Sequence, residues 1–225
     1  MTGAYLYRLG VTPYREAVAT MDDLAAARCQ GAIPDTVMLL EHEPVITLGS
    51  RAVRGEELLL AAVEYTRRGI EVVEVSRGGR STYHGPGQLV CYPVFDLKGH
   101  GHDRDLHRYV AGLERTIIAT LAAFGIEGDT VSGDHASGVW VGERKIASIG
   151  VRCSRWVTTH GLSLNVNLDL EAYELFDACG LGGADFTSIA AETGREVTVA
   201  EAGEVFVASL QEQFQIELDP LPAAV

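Results

Sequence analysis

The residues best suited to chemistry are a cysteine and a lysine. Cys179 sits in FDACGLGG (176–183), followed by glycines at 180, 182 and 183. Glycines let backbone N–H groups approach a ligand closely and adopt positive φ. Such N–H groups lower a thiol pKa and hold an oxyanion, so this setting suits a nucleophilic thiolate. The bland reading is a flexible loop with an incidental cysteine. Lysine is scarce: of 18 basic residues only Lys98 and Lys145 are lysines. Lysine can lose its proton when desolvated and arginine effectively cannot. Lys145 falls on a strand whose period of two groups it with Ala147, Ile149 and Val151. Desolvation on that apolar face would lower its pKa and make it a base near neutrality. His84 in TYHGPGQ and His160 in TTHGLSLNVN each precede a glycine beside polar residues. Each suits either a pocket wall or a tight turn. His100, His102 and His107 lack a specific metal spacing. Cys29, Cys91 and Cys153 read as packed core thiols, with no CxxC pattern.

The elements that must position these groups are numerous and of both kinds. Strands are expected at Tyr5–Leu9, Val37–Leu40, Val45–Leu48, Ile70–Val75 and Leu89–Phe95, the last an edge or an end because of Pro93. A hairpin over Val139–Val151 turns near Gly142-Glu143-Arg144. His160, Leu162, Leu164, Val166 and Leu168 share one face of a further strand. A helix runs from Thr12-Pro13, as cap and first position, to about Cys29. Others span Glu56–Arg68, Leu106–Phe124 with Gly125 as stop, and a final stretch opened by a Thr198–Glu201 capping box. RGGRSTYHGPGQ (77–88) holds four glycines and a proline and reads as irregular.

The order is not a regular alternation. It implies a single α/β domain on a mixed, largely antiparallel sheet with flanking helices, over residues 1–215, with a loose tail at 216–225. The 225 residues are 47% hydrophobic, enough for a sizeable core. The net charge of -13 argues against a nucleic-acid binder or a polybasic membrane surface. No signal peptide and no transmembrane run are evident, so the expectation is cytoplasmic. Against this acidic background, Arg51, Arg54, Arg77 and Arg80 form a local basic patch suited to an acidic partner.

Three blocks, RGGRSTYHGPGQLVCYPVFDL (77–97), GVWVGERKIASIGVRCSRWVTTHGLSLNVNLDL (138–170) and ACGLGG (178–183), with EHEPVITLGS (41–50), resemble the octanoyltransferase family of lipoate biosynthesis. The likeness covers about residues 5 to 215. It implies the fold of the biotin and lipoate protein ligases, with a second small sheet. It implies transfer of octanoate from octanoyl-acyl carrier protein to apo-lipoyl domains of 2-oxoacid dehydrogenase subunits and to the glycine-cleavage H protein. No ATP, metal or cofactor is implied, and no nucleic acid or membrane partner; a monomer is the expected state. The catalytic cysteine and lysine match Cys179 and Lys145. The substrate-binding positions match Arg77, Gly78, Gly79, Tyr83, His84, Gly85, Gly87 and His160, extended to Ala147, Ser148, Ile149, Gly150, Gly161 and Leu162 beside them. Departures from the family pattern stand at Ser76, Arg80, the DHAS segment (134–137) and Ala178. Competing readings are an ATP-dependent lipoate ligase, a non-catalytic carrier-binding module and a cysteine hydrolase with a histidine base.

Overall fold

The computed structural model describes residues 2–99, 103–131, 137–178 and 185–222. Seven strands form a mixed sheet: β1 (Thr2–Thr12), β2 (Thr36–His42), β6 (Gln88–Val94), β7 (Gly138–Val141), β8 (Arg144–Ser154), β9 (Val157–Asn165) and β10 (Ile216–Pro220). Their order is β10-β1-β2-β6-β9-β8-β7. β1 runs parallel to both its neighbours, and the other pairings are antiparallel. A small second sheet, in the order β4-β3-β5, joins β3 (Val45–Leu48), β4 (Glu71–Glu74) and β5 (Ser81–His84).

The large sheet is buried on both faces, which explains the unbroken apolar run in β2. Val37 and Leu39 face one core, with Leu89, Cys91, Leu162 and Leu164. That core is closed by α4 (Leu106–Ala123) and α6 (Val199–Phe214) through Tyr109, Leu113, Ile117, Phe206 and Leu210. Met38 and Leu40 face the other way, with Val90 and Tyr92, onto Ala17, Met21 and Leu24 of α1 (Tyr14–Cys29). The small sheet has its own core, in which Ile46, Leu48 and Tyr83 meet Tyr65, Tyr173 and Phe176. Among the described residues no helix is long and apolar enough to cross a membrane.

Several local readings change. The glycine-rich stretch 77–88 contains strand β5, whose Thr82 and Tyr83 pair with Thr47 and Ile46. The helix expected at Glu56–Arg68 is broken into α2 (Arg54–Glu57) and α3 (Ala62–Arg67), because Leu58 bridges to Phe176. Pro93 lies near the end of an interior strand, past the point where the β9 ladder stops at Cys91–Leu162. Thr12 closes β1, its hydroxyl donating to Gly10 O, and the helix cap falls on Pro13. Thr198 accepts from Glu201 N as expected, but the Glu201 carboxylate pairs with Arg195. Residues 216–220, read as the start of a tail, are β10, which lies parallel to β1 with Ile216 buried.

Candidate active site

A cavity of about 180 Å³ opens between β8, β9, β5 and the turn that precedes β5. The turn is pressed against residues 49–51. Gly49 N donates to Arg80 O, Ser50 N to Arg77 O and Arg51 N to Gly79 O. A Cβ on Gly49 would lie 2.4 Å from Gly79 O, so neither side chain nor spacing is free there.

Lys145 reaches the cavity through a defect in the hairpin. Val139 faces Ala147 but Trp140 faces Lys145, so Ile146 is left over as a β-bulge. Ile146 and Ala147 both enter the main core. The alternation therefore slips by one, and Lys145 joins Ser148 and Gly150 on the cavity wall. This corrects the face read from the period of two. Lys145 is 1% exposed, and its Nζ lies 5.5 Å from the Trp140 ring centroid. Gly138 makes this crowding possible: at φ 138° its Cβ would fall 2.1 Å from Ala147 O and 3.1 Å from Lys145 Cε.

His160 is re-aimed by a second irregularity. Its φ of 57° is left-handed, and it leaves the face of Leu162 and Leu164. The ring meets Tyr92 edge-on and places Nε2 3.4 Å from Tyr14 Oη. Tyr14 stacks on His84 at 6.4 Å and 8°. His42 Nδ1 lies 3.0 Å from Thr12 O, which can only accept, so this nitrogen carries the proton. Tyr92 Oη, 2.7 Å from His42 Nε2, is then the donor in that contact. His84 Nδ1 donates in turn to Gln88 Oε1, whose amide nitrogen donates to Tyr83 O and Asn165 Oδ1.

Burial holds these rings neutral. It lowers His42 to about 4. It lowers His160 to about 4, with further pushes from Arg77, Arg152 and His42. Burial also takes His84 well below its usual value, helped by His42. It lifts Tyr14 to about 12 against the pull of Arg77.

Of the four arginines read as a docking patch, Arg77 is buried, donating to Thr47 O, Thr47 Oγ1 and Gly78 O. Arg80 is tied to Glu57 at 2.6 Å. Arg51 lines the cavity and is exposed, and the Arg54 side chain lies outside the described residues.

Arg77, Gly78, Gly79, His84, Ser148, Ile149, Gly150, His160, Gly161 and Leu162 all line the cavity. Four other sequence-selected positions are not on its wall. Tyr83 packs in the small core and Ala147 in the main one. Gly85 abuts the Tyr83 ring. Gly87 takes φ 89°, its N–H donating to Glu41 and its carbonyl accepting from Val166 and Asn167. Tyr14 and Tyr92, which do line it, were missed: Tyr92 sits in an apolar run, and Tyr14 stands in the first turn of a helix with no motif around it.

Cys179 lies outside the described residues, but both flanks are anchored at the cavity. Asp177 N donates to Glu57 O, and Ser81 Oγ donates to Asp177 O. On the far side Lys145 N donates to Asp185 O, and Thr187 N donates to Lys145 O.

The family model described as the lipoyl protein ligase A/B catalytic domain matches residues 13–211. The chain belongs to this family. An octanoyltransferase of Chloroflexus aurantiacus is 45% identical over 215 residues, 94% of each chain. Another, of Solibacter usitatus, is 44% identical over 220 residues, covering 98% of this chain and 97% of the relative. The solved structure of lipoate-protein ligase A bound with ATP superposes with a TM-score of 0.78 at 17% identity, covering 99% of this chain and 90% of that one. A bipartite lipoate protein ligase of Thermoplasma acidophilum, studied with its E2 lipoyl domain, gives 0.73 at 15%, over 99% and 89%. These distant likenesses establish the lipoate ligase fold expected from the sequence. The family match and the octanoyltransferase relatives make this chain an enzyme of the lipoyl(octanoyl) transferase kind, an acyltransferase of lipoate biosynthesis.

Proposed function

We propose that the chain takes octanoate from octanoyl-acyl carrier protein onto Cys179 as a thioester. It then passes the acyl group to the acceptor lysine of apo-lipoyl domains of 2-oxoacid dehydrogenase subunits and of the glycine-cleavage H protein. The observation that carries this is Lys145: a buried lysine turned into a cavity by a bulge, its backbone bonded to both Asp185 and Thr187, just past the cysteine-bearing segment.

Lys145 as neutral amine takes the Cys179 proton, and the thiolate attacks the octanoyl carbonyl. The tetrahedral oxyanion is held by backbone N–H groups of the glycine-rich segment. Lys145 N–H is not among them, since it is committed to Asp185 O. Collapse breaks the carrier C–S bond, and Lys145 returns the proton to the departing carrier thiolate. The acceptor lysine, deprotonated, then attacks the enzyme thioester, giving an amide and free Cys179; Lys145 receives the amine proton and hands it to the cysteine.

A hydrolase with a histidine base fits less well. Both histidines of the cavity wall, His84 and His160, are lowered by burial, His160 to about 4, which leaves them weak bases for a thiol. The acceptor assignment is supported by the Thermoplasma relative's pairing with a lipoyl domain.

The test is intact mass after mixing the enzyme with octanoyl-carrier protein, without ATP or acceptor. A gain of roughly 126 Da, one octanoyl group, is expected on Cys179, removable by neutral hydroxylamine. Apo-lipoyl domain should discharge it into a hydroxylamine-resistant amide. Cys179→Ala should abolish adduct and transfer, whereas changing Cys29, Cys91 or Cys153 should leave the adduct. Transfer at full rate by Cys179→Ala would overturn the covalent route.

A further inference from the structure

We infer that Tyr14 sets the length of the acyl chain that the cavity accepts, an assignment resting on the reading of this cavity as the acyl slot. Strand β5 fixes the direction of the slot. β5 begins at Ser81, whose hydroxyl holds Asp177 two residues before Cys179, and ends at His84, which stacks on Tyr14. β8 carries Lys145 near its start, and its Val151 pairs with His160 of β9, whose Nε2 lies 3.4 Å from Tyr14 Oη. β5 therefore links the residue that leads toward the cysteine to the phenol ring of Tyr14, while Lys145 and His160 line the same cavity.

The span of β5 agrees with eight carbons. Ser81 to His84 is three residue steps, roughly 10 Å at about 3.3 Å per residue. An extended eight-carbon acyl chain is roughly 9 Å long, from C–C bonds of about 1.5 Å. Tyr14 comes from α1 rather than from either sheet, and it lines the cavity while being 3% exposed. It is braced on both sides, by the His84 ring and by His160 Nε2, so it presents a fixed wall. Tyr92 lines the same end, but its hydroxyl is bound to His42 at 2.7 Å within the sheet. Shortening Tyr14 opens space toward α1, whereas the ring without its hydroxyl fills the same volume.

The experiment compares kcat/KM for octanoyl-, decanoyl- and dodecanoyl-carrier protein in wild type, Tyr14→Phe, Tyr14→Leu and Tyr14→Ala. Titration calorimetry with free octanoate and dodecanoate runs in parallel. Wild type and Tyr14→Phe should share one preference for eight carbons. Tyr14→Leu and Tyr14→Ala should move it toward longer chains, with dodecanoyl gaining at least about 10-fold relative to octanoyl. Dodecanoate binding should rise in the same two variants, a change that loss of stability alone would not produce. If folded Tyr14→Leu keeps the wild-type chain preference in both measurements, the ruler assignment is wrong while acylation of Cys179 by octanoyl-carrier stands. If the wild type never acylates Cys179, both fall.

Discussion

At the scale of single residues, Lys145 and Glu57 show what burial demands of a charged group. Lys145 is buried against Trp140 in a chain that uses arginine almost everywhere else. Replacement by arginine keeps a cation but removes an exchangeable proton, since guanidinium stays protonated. Lys145→Arg should therefore lose of order 10²-fold or more in acylation rate by rapid quench, with its fold retained by circular dichroism. A near-normal rate across pH would remove Lys145 as the base. Lys98, half exposed and paired with Asp96 at 3.2 Å, should tolerate the same change. Glu57 has no exposed surface and binds Arg80, while its backbone carbonyl accepts from Asp177. Arg80, a cation on the cavity wall, is neutralised by the Glu57 carboxylate, and the backbone carbonyl of the same residue steadies Asp177, two residues before Cys179.

At the scale of elements, the strands were legible wherever a period of two meets a regular ladder, and were misread where the ladder is irregular. The apolar runs of β2, β6 and β9 and the stripe of α4 declare themselves because each buries a continuous face. A bulge leaves no comparable mark. Whether Ile146 is paired depends on how Val139 and Trp140 register opposite it, a cross-strand relation that β8 alone does not encode. The left-handed turn at His160 is hidden for the same reason, as non-glycine residues seldom adopt it. Strand β5 was masked by the glycines that flank it: Gly79 turns at φ 92°, Gly85 lies against the Tyr83 ring and Gly87 against Asn167. The pair of chemically active residues was nonetheless readable, since their rarity and glycine context are local properties. Gly138 gives the element-scale prediction. Gly138→Ala must push β7 off β8 at Ala147 O and crowd the Lys145 stem. A stability loss of about 1–3 kcal/mol is expected from such backbone strain. Acylation should fall further than thermal melting explains; unchanged melting and rate would show that this contact does not hold the bulge.

At the scale of the whole molecule, the layer between the sheets is a set of neutral rings, and neutrality has a pH cost. His42 and His160 have folded pKa values near 4, below the unfolded value of about 6.5, chiefly through burial. The unfolded chain therefore binds protons that the native state refuses between those values. The stabilisation is complete above about pH 6.5 and is lost as pH falls toward 4. His84, also taken well below its usual value by burial, adds to the same loss. The urea midpoint should hold from pH 8 to 7 and fall steadily from pH 6.5 to 4.5, where most exposed carboxylates have not yet titrated. His42→Gln should flatten part of that slope; a wild-type midpoint constant down to pH 5 would contradict the assignment.

The parallel pairing of β10 with β1 has a consequence in time. Thr2 pairs with Ile216, so β1, once made, waits for a strand that follows it much later in the chain. At roughly 5–20 residues per second, synthesis of the intervening chain takes roughly 10–40 s. Throughout that interval the outer edge of β1 is an open template for a stranger's strand. β10 covers that edge and puts Glu217, Asp219 and Pro220 on the new one, residues that discourage a further strand from adding.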